Sequence, residues 1–314
     1  MLALRRWLTL ACISFLGSTQ QVRPAHIIFD LGGVLIETNT MSAFWHVGPF
    51  RCLYFCASTF KSPRHAFFDF LNSVFPPEPN TQCPKDEFGT PLPSIMAQWL
   101  RGELTPQELN RQLADGWSRA VFSSQTEAAI VKSMLHIAFD PRHFIRTRSI
   151  IYDALELVHE CIEQGHTVYI LSNWDPYTFT LLEQTYPEIF SLFGDRIVIS
   201  GDVGILKPDP RIYHYILSRY NLKAHECVYI DDQQENIDSA RSCGIPSIHC
   251  PKKRSLWSVT PDIDHVRLQL QHRFNSGLHA GMNAPRHVPQ KARLPHTARQ
   301  LRPSAALFPL GSWL

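Results

Sequence analysis

Short apolar runs, each closed by a polar group, recur at wide intervals along this chain. His26-Ile27-Ile28-Phe29 ends in Asp30, Val168-Tyr169-Ile170-Leu171 in Ser172-Asn173, and Val228-Tyr229-Ile230 in Asp231-Asp232. Runs this short with no polar face fit strands of a parallel sheet, which is covered on both sides. The stretches between them carry helical spacing. From Ser149 to Gly165 the apolar residues fall at 150, 151, 154, 155, 158, 161 and 162, a helical stripe closed by glycine. The pattern then predicts a strand over 166–172, a helix over 176–185 and a short strand over 196–199. A strand over 227–231, a helix over 233–243 ending at Gly244 and a strand over 246–250 complete the run. Asp209-Pro210 opens a further helix reaching about Tyr220, with the aspartate as cap and the proline in the first helical position. Strands alternating with helices imply an α/β fold with a parallel sheet and right-handed crossovers.

Residues 39–148 break that alternation. Phe and Trp are frequent, Pro76-Pro77 and Pro91 to Pro93 interrupt the chain, and the clearer stretches are helical. Thr105-Pro106-Gln107-Glu108 reads as a helix start, with threonine as cap, proline first and glutamate placed to close a capping box. The expectation is a mostly helical insertion between the first strand and the rest of the sheet, where it would cover the strand ends as a lid. The core is then residues 25–38 and 149–257, and the insertion is 39–148. Beyond about Trp257 the periodicity fades into His, Arg, Pro and Gln, so residues 258–314 are expected to form a basic, disordered tail.

With 314 residues the chain can bury one large core or two modest ones. Its net charge of +2 is unevenly spread: from His265 to Leu314 there are seven Lys or Arg, five His and no Asp or Glu. The basicity therefore belongs largely to the tail, which could contact an anionic partner, and the core gives no reason to expect nucleic acid. The eight cysteines show no metal-ligand spacing, which favours free buried thiols over disulfides. Arg5-Arg6 and the apolar stretch from Trp7 to Gly17 make residues 1–24 a candidate export signal, too short to span a membrane and without a small-x-small cleavage site. A cytoplasmic location is favoured, with export as the alternative.

If the strands lie side by side, their carboxyl ends form one edge, the place where open α/β sheets hold ligands. Asp30, Asp231 and Asp232 bring carboxylates to that edge, Ser172 a hydroxyl, and Lys207, in Ile205-Leu206-Lys207-Pro208-Asp209, an ammonium. The adjacent carboxylates of Asp231 and Asp232 would repel each other without a cation between them. Mg2+ prefers hard oxygen ligands of this kind. The set suits metal-assisted phosphoryl transfer.

Taken in order, these four segments resemble the motifs of the haloacid dehalogenase-like superfamily, and of its phosphatases in particular, over residues 25 to about 251. The strings Asp30-Leu31-Gly32-Gly33 and Leu171-Ser172-Asn173 are similar to a branch that includes sugar-phosphate phosphatases acting on glucose-1-phosphate-like substrates. The resemblance implies a Rossmann-like, doubly wound parallel sheet with a helical cap after the first strand, bound Mg2+, and a small phosphorylated metabolite as substrate. It implies that Asp30 is the nucleophile, attacking phosphorus to form an aspartyl-phosphate. Gly32 and Gly33 would let the backbone close around the phosphate, and Ser172 and Asn173 would hold its oxygens. Trp174 and Asp175 either line the site or pack and cap. Lys207 would offset the repulsion between Asp30 and the anionic phosphoryl group. The implied metal ligands are Asp30, the backbone carbonyl of Gly32 and Asp232. Asp231 would stand behind them, with Asn236 either turned back from the next helix or left on its surface.

One position departs from that pattern. Most phosphatases of this superfamily carry a second aspartate two residues after the nucleophile as general acid and base, and here that residue is Gly32. Losing a general acid commonly lowers a rate about 10²–10⁴-fold. Three readings fit. The chain is a working phosphatase with an easy leaving group or a substitute acid such as Glu37; or a haloacid dehalogenase, which needs no leaving-group proton and no metal; or a non-catalytic protein that uses the fold to hold a ligand or partner. The resembling branch also has glycine here, which favours the first reading, and the Asp231-Asp232 pair argues against the second.

Overall fold

A computed structural model describes residues 25–79, 84–86, 89–254 and 259–276. Strand β1 (His26–Phe29) sends Ile27 and Phe29 into one apolar cluster and Ile28 into the opposite one, as a strand covered on both faces must. The chain turns after Asp30, forms β2 (Ile36–Thr38) and enters the insertion. There it builds helices α1 (Thr40–Val47), α2 (Pro49–Thr59), α3 (Pro63–Val74), α4 (Ser94–Leu100), α5 (Pro106–Arg119), α6 (Gln125–Phe139) and α7 (Pro141–Arg146). It returns as β3 (Arg148–Ile150), antiparallel to β2, with Ile36 opposite Ile150 and Thr38 opposite Arg148. The chain thus enters and leaves the helical cap through a single two-stranded ribbon. The cap has its own core, in which Phe55, Phe67, Leu71, Trp99, Leu109 and Phe139 are buried together. At the start of α5 the capping box forms as expected: Thr105 Oγ1 accepts from the Glu108 amide at 3.2 Å, and the Glu108 carboxylate from the Thr105 amide at 2.9 Å.

Beyond the ribbon the alternation runs α8 (Tyr152–Glu163), β4 (Thr167–Ser172), α9 (Pro176–Thr185), α10 (Pro187–Phe193), β5 (Ile197–Ile199), α11 (Ser200–Val203), α12 (Pro210–Arg219), β6 (Cys227–Asp231), α13 (Gln234–Ser242) and β7 (Ser247–His249). The five core strands are all parallel, in the order β5-β4-β1-β6-β7. The strands after β1 first extend to one side of it, through β4 and β5, and then to the other, through β6 and β7. This is the doubly wound α/β architecture, and its order reverses beside β1, where a crevice opens at the carboxyl ends. The cap sits over that end.

The expectation of an irregular tail from residue 258 needs correcting. A hairpin of β8 (Lys252–Arg254) and β9 (Val259–Pro261) leads into helix α14 (Ile263–Ser276). Ile263, Val266 and Leu270 of that helix are buried in the main core, and Arg267 pairs with Glu160 at 3.0 Å. Its apolar positions are helically spaced but scattered among Asp, His, Arg and Gln, which hides the stripe. The expected export signal at 1–24 and the tail from 277 onward lie outside the described residues. Among the described residues no helix is long and apolar enough to cross a membrane. Cys52, Cys56, Cys161, Cys227, Cys243 and Cys250 are free thiols, while Cys12 and Cys83 lie outside the described residues.

Candidate active site

Register brings the candidate residues together. His26 pairs with both Thr167 of β4 and Cys227 of β6, so the three central strands end close to one level. Asp30, Ser172 and Asp231 then face the same crevice edge. Lys207 reaches into it from the loop before α12, 1% exposed, with Nζ 2.9 Å from Asp30 Oδ1 and 2.8 Å from Asp231 Oδ2. It also donates to the Leu171 carbonyl at 3.2 Å. Burial works against the charge on Lys207, but the Asp231 and Asp30 carboxylates outweigh it and hold the ammonium above its ordinary range. Asp30 is pushed up to about 7: burial is the main cause, Lys207 opposes it, and the carboxylates of Asp231 and Asp232 add to it.

Asp231 is wholly buried beneath this edge. It accepts from the Tyr229 hydroxyl, from the Gln233 amide at 2.7 Å and from Asn236 Nδ2 at 3.0 Å. Of the two alternatives for Asn236, the structure therefore shows the side chain turned back, onto Asp231, and not left on the helix surface. The side chain of Asn173, expected on the phosphate, is committed elsewhere: its oxygen accepts from the Lys207 amide at 2.8 Å and its nitrogen donates to the Lys207 carbonyl at 3.0 Å. It braces the loop that carries the lysine. Tyr229 escaped the sequence reading, although its place two residues before Asp231 on a strand puts both on one face.

The oxygens of Asp30, Asp231 and Asp232 lie within 4.8 Å of one another, a set of hard donors that fits Mg2+. Gly33 makes the approach of Asp232 possible. Its φ is +74°, and a Cβ there would stand 2.5 Å from Asp232 Oδ2. Gly32 is a different case: a Cβ would meet the Trp174 ring at an ordinary 3.5 Å. Lys252, which carried no motif signal, places Nζ 3.3 Å from Asp232 Oδ2.

A cavity of about 270 Å³ opens above these groups, lined by Asp30, Gly32, Gly33, Ser172, Lys207 and Asp232 on the core side and by Glu37 of the ribbon. Trp174 and Asp175 line it as well, and both also serve the fold. The Trp174 indole donates to Thr178 Oγ1 at 2.9 Å. Asp175 caps α9, accepting from the amides of Tyr177 at 3.0 Å and Thr178 at 2.8 Å, and burial pushes its carboxyl up to about 6. The cap is docked on the core through α4. Trp99 stacks on Tyr177 with ring centres 5.3 Å apart, and the Leu100 carbonyl accepts from Ser200 Oγ at 2.7 Å.

Comparison with known proteins agrees with this geometry. Residues 24–244 match the family model of haloacid dehalogenase-like hydrolases. The chain is 28% identical over 195 residues to sesquiterpene phosphatase astK of Aspergillus oryzae, covering 61% of this chain and 90% of that one. It is 29% identical over 188 residues to drimenol cyclase drtB of Aspergillus calidoustus, covering 60% of this chain and 31% of the cyclase. It is 33% identical over 223 residues to bifunctional epoxide hydrolase 2 of Rattus norvegicus, covering 70% of this chain and 35% of the hydrolase. The chain thus spans about a third of the length of the cyclase and of the epoxide hydrolase. With 221 consecutive residues under the family model and the strand-end carboxylates in place, the chain belongs to the haloacid dehalogenase-like hydrolases.

Proposed function

We propose that this chain is a Mg2+-dependent phosphatase that hydrolyses a small phosphomonoester through an aspartyl-phosphate. The observation that carries this reading is the buried Lys207 ammonium bridging Asp30 and Asp231 beneath the cavity. Asp30 Oδ attacks phosphorus and the ester oxygen departs; water then cleaves the acyl phosphate and restores the carboxylate. Lys207 lets an anionic nucleophile and an anionic phosphoryl group approach, and it stabilises charge on the transferring group. Ser172 and the Gly32 amide bind the phosphate oxygens, whereas the Leu31 amide donates to Asp30 Oδ1 at 2.7 Å and the Gly33 amide, expected on the phosphate, to the Ile36 carbonyl at 2.8 Å. Asp30, the Gly32 carbonyl and Asp232 would hold Mg2+, with Asp231 behind them, and the ion would supply further positive charge where the phosphate sits.

Gly32 cannot protonate the leaving oxygen. Glu37 lines the same cavity from β2, and we assign it that proton and the later activation of water. The name of the fungal sesquiterpene phosphatase, matched over 90% of its length, supports phosphate-ester cleavage. Asp231 and Asp232 beside Asp30 speak against a dehalogenase, whose reaction has no use for a cation site. The test is phosphate release from p-nitrophenyl phosphate and a panel of phosphomonoesters, with and without Mg2+, using Asp30→Asn as control. Release that requires both Mg2+ and Asp30 is expected. Folded protein that binds Mg2+ and releases nothing would leave the non-catalytic binding reading in its place.

A further inference from the structure

The phosphate end of the cavity is polar, but its roof is not. The six residues laid over it by the cap helices are Met96, Trp99 and Leu100 of α4, Ala138 and Phe139 of α6, and Phe144 of α7. None carries a side-chain group able to pair with a sugar hydroxyl, apart from the Trp99 indole. Several polar side chains along the walls are already engaged. Asn173 holds the Lys207 loop, Asn236 holds Asp231, and Asp175 holds the start of α9. The Arg148 guanidinium donates to Thr38 Oγ1 at 2.7 Å and lies 4.0 Å above the Phe144 ring.

From this contrast we infer that the substrate is a phosphomonoester of an apolar alcohol, a hydrocarbon chain carrying one phosphate, and not a sugar phosphate. The inference rests on the phosphatase reading above for the phosphate end, and on the roof alone for the alcohol. A polyhydroxylated alcohol would lose water from each hydroxyl under this roof with few partners to replace it. A hydrocarbon gains instead, by about fourfold in affinity for each methylene fully removed from water. Selectivity then lies in α4 and α6, the parts of the cap that the strand-end motifs do not touch.

Two measurements on the full chain test this. The first is kcat/KM, with Mg2+, for ethyl, butyl, hexyl and octyl phosphate beside glucose phosphates and p-nitrophenyl phosphate. The second is the affinity of the corresponding alkylphosphonates, which cannot be hydrolysed. We expect kcat/KM and phosphonate affinity to rise at least about tenfold from ethyl to hexyl, with the glucose phosphates below hexyl phosphate. Met96 and Leu100 are half-buried. Replacing them as Met96→Gln and Leu100→Gln should cut the hexyl-to-ethyl ratio several-fold. Turnover of p-nitrophenyl phosphate with a flat chain-length series, or with glucose phosphates preferred, would overturn the apolar substrate and leave the phosphatase standing. No turnover of any ester, with phosphonate affinity still climbing along the series, would overturn the phosphatase and leave the apolar pocket. A flat phosphonate series, or glutamine variants with the parent ratio, would also overturn the inference.

Discussion

Replacing Lys207 by methionine takes one positive charge from a place where two carboxylates depend on it. The ammonium is 2.9 Å from Asp30 and 2.8 Å from Asp231 in a side chain only 1% exposed. At an effective dielectric near 20, each contact carries about 6 kcal/mol of gross attraction, from which the desolvation of the ammonium must be subtracted. Methionine fills much of the vacated volume, so packing changes little. What remains is a pair of buried carboxylates without their cation, and breaking a buried pair in this way costs about 3–5 kcal/mol. With a urea slope of about 3 kcal/mol/M, the unfolding midpoint should fall by about 1–1.7 M, read by circular dichroism at pH 8 in EDTA. The loss should depend on pH. Asp30 is already raised to about 7, and without Lys207 it rises further. The folded variant then binds the proton more tightly than the folded parent, so Asp30's share of the deficit is full only above the variant's higher value, shrinks as the pH falls from there toward 7 and is gone below 7. Adding Asp231→Asn removes one of the stranded charges, so the double variant should lose less than the sum of the single variants. Equal midpoints for the parent and Lys207→Met, or strictly additive losses, would refute the claim that one ammonium neutralises both carboxylates.

Gly33→Ala should weaken Mg2+ binding about tenfold or more by calorimetry, because the new methyl group meets the Asp232 carboxylate at a φ of +74°. A parent-like affinity would remove Asp232 from the ion's site. Glu37→Gln should lower kcat/KM for an alkyl phosphate by about 10²-fold and for p-nitrophenyl phosphate far less, since nitrophenolate leaves without a proton. Equal losses on both substrates would show that Glu37 is not the acid. Asp175, at about 6 in the folded protein, binds its proton more tightly folded than unfolded. The parent should therefore gain about 1.4 kcal/mol from this group between pH 8 and pH 5. Asp175→Asn should lack that gain in urea midpoints measured at the two pH values, and a parallel pH dependence would count against it.

The strand ends were readable because β1, β4 and β6 are continuous apolar runs, each stopped by a polar residue that the parallel register then aligns. Lys207 was readable from its place before Pro208-Asp209, where a helix start is strongly signalled. The ribbon was not. Its two arms are three residues each, and Thr38 and Arg148 stand 110 residues apart, so neither carries enough pattern to be seen alone. The brace from Asn173 to the Lys207 backbone spans 34 residues and depends on a loop conformation, not on residue type. The apolar roof was hidden for a similar reason. Leu100 and Ala138 look like ordinary helix positions until the packing of α4 and α6 decides which of them face a cavity.

The ribbon also bears on how such a protein can change. Thr38 and Arg148 sit opposite each other on adjacent strands, so the two ends of the cap lie about one strand spacing, ~5 Å, apart. The cap carries its own buried cluster, separate from the two clusters that cover the sheet. A segment with neighbouring ends and a private core is a cassette. It can be lengthened, shortened or exchanged for another segment with matched ends while the strand order and the carboxylates at the sheet edge stay where they are. In a gene, the alcohol half and the phosphate half of the substrate are then written in separate stretches, and selection can act on one without disturbing the other.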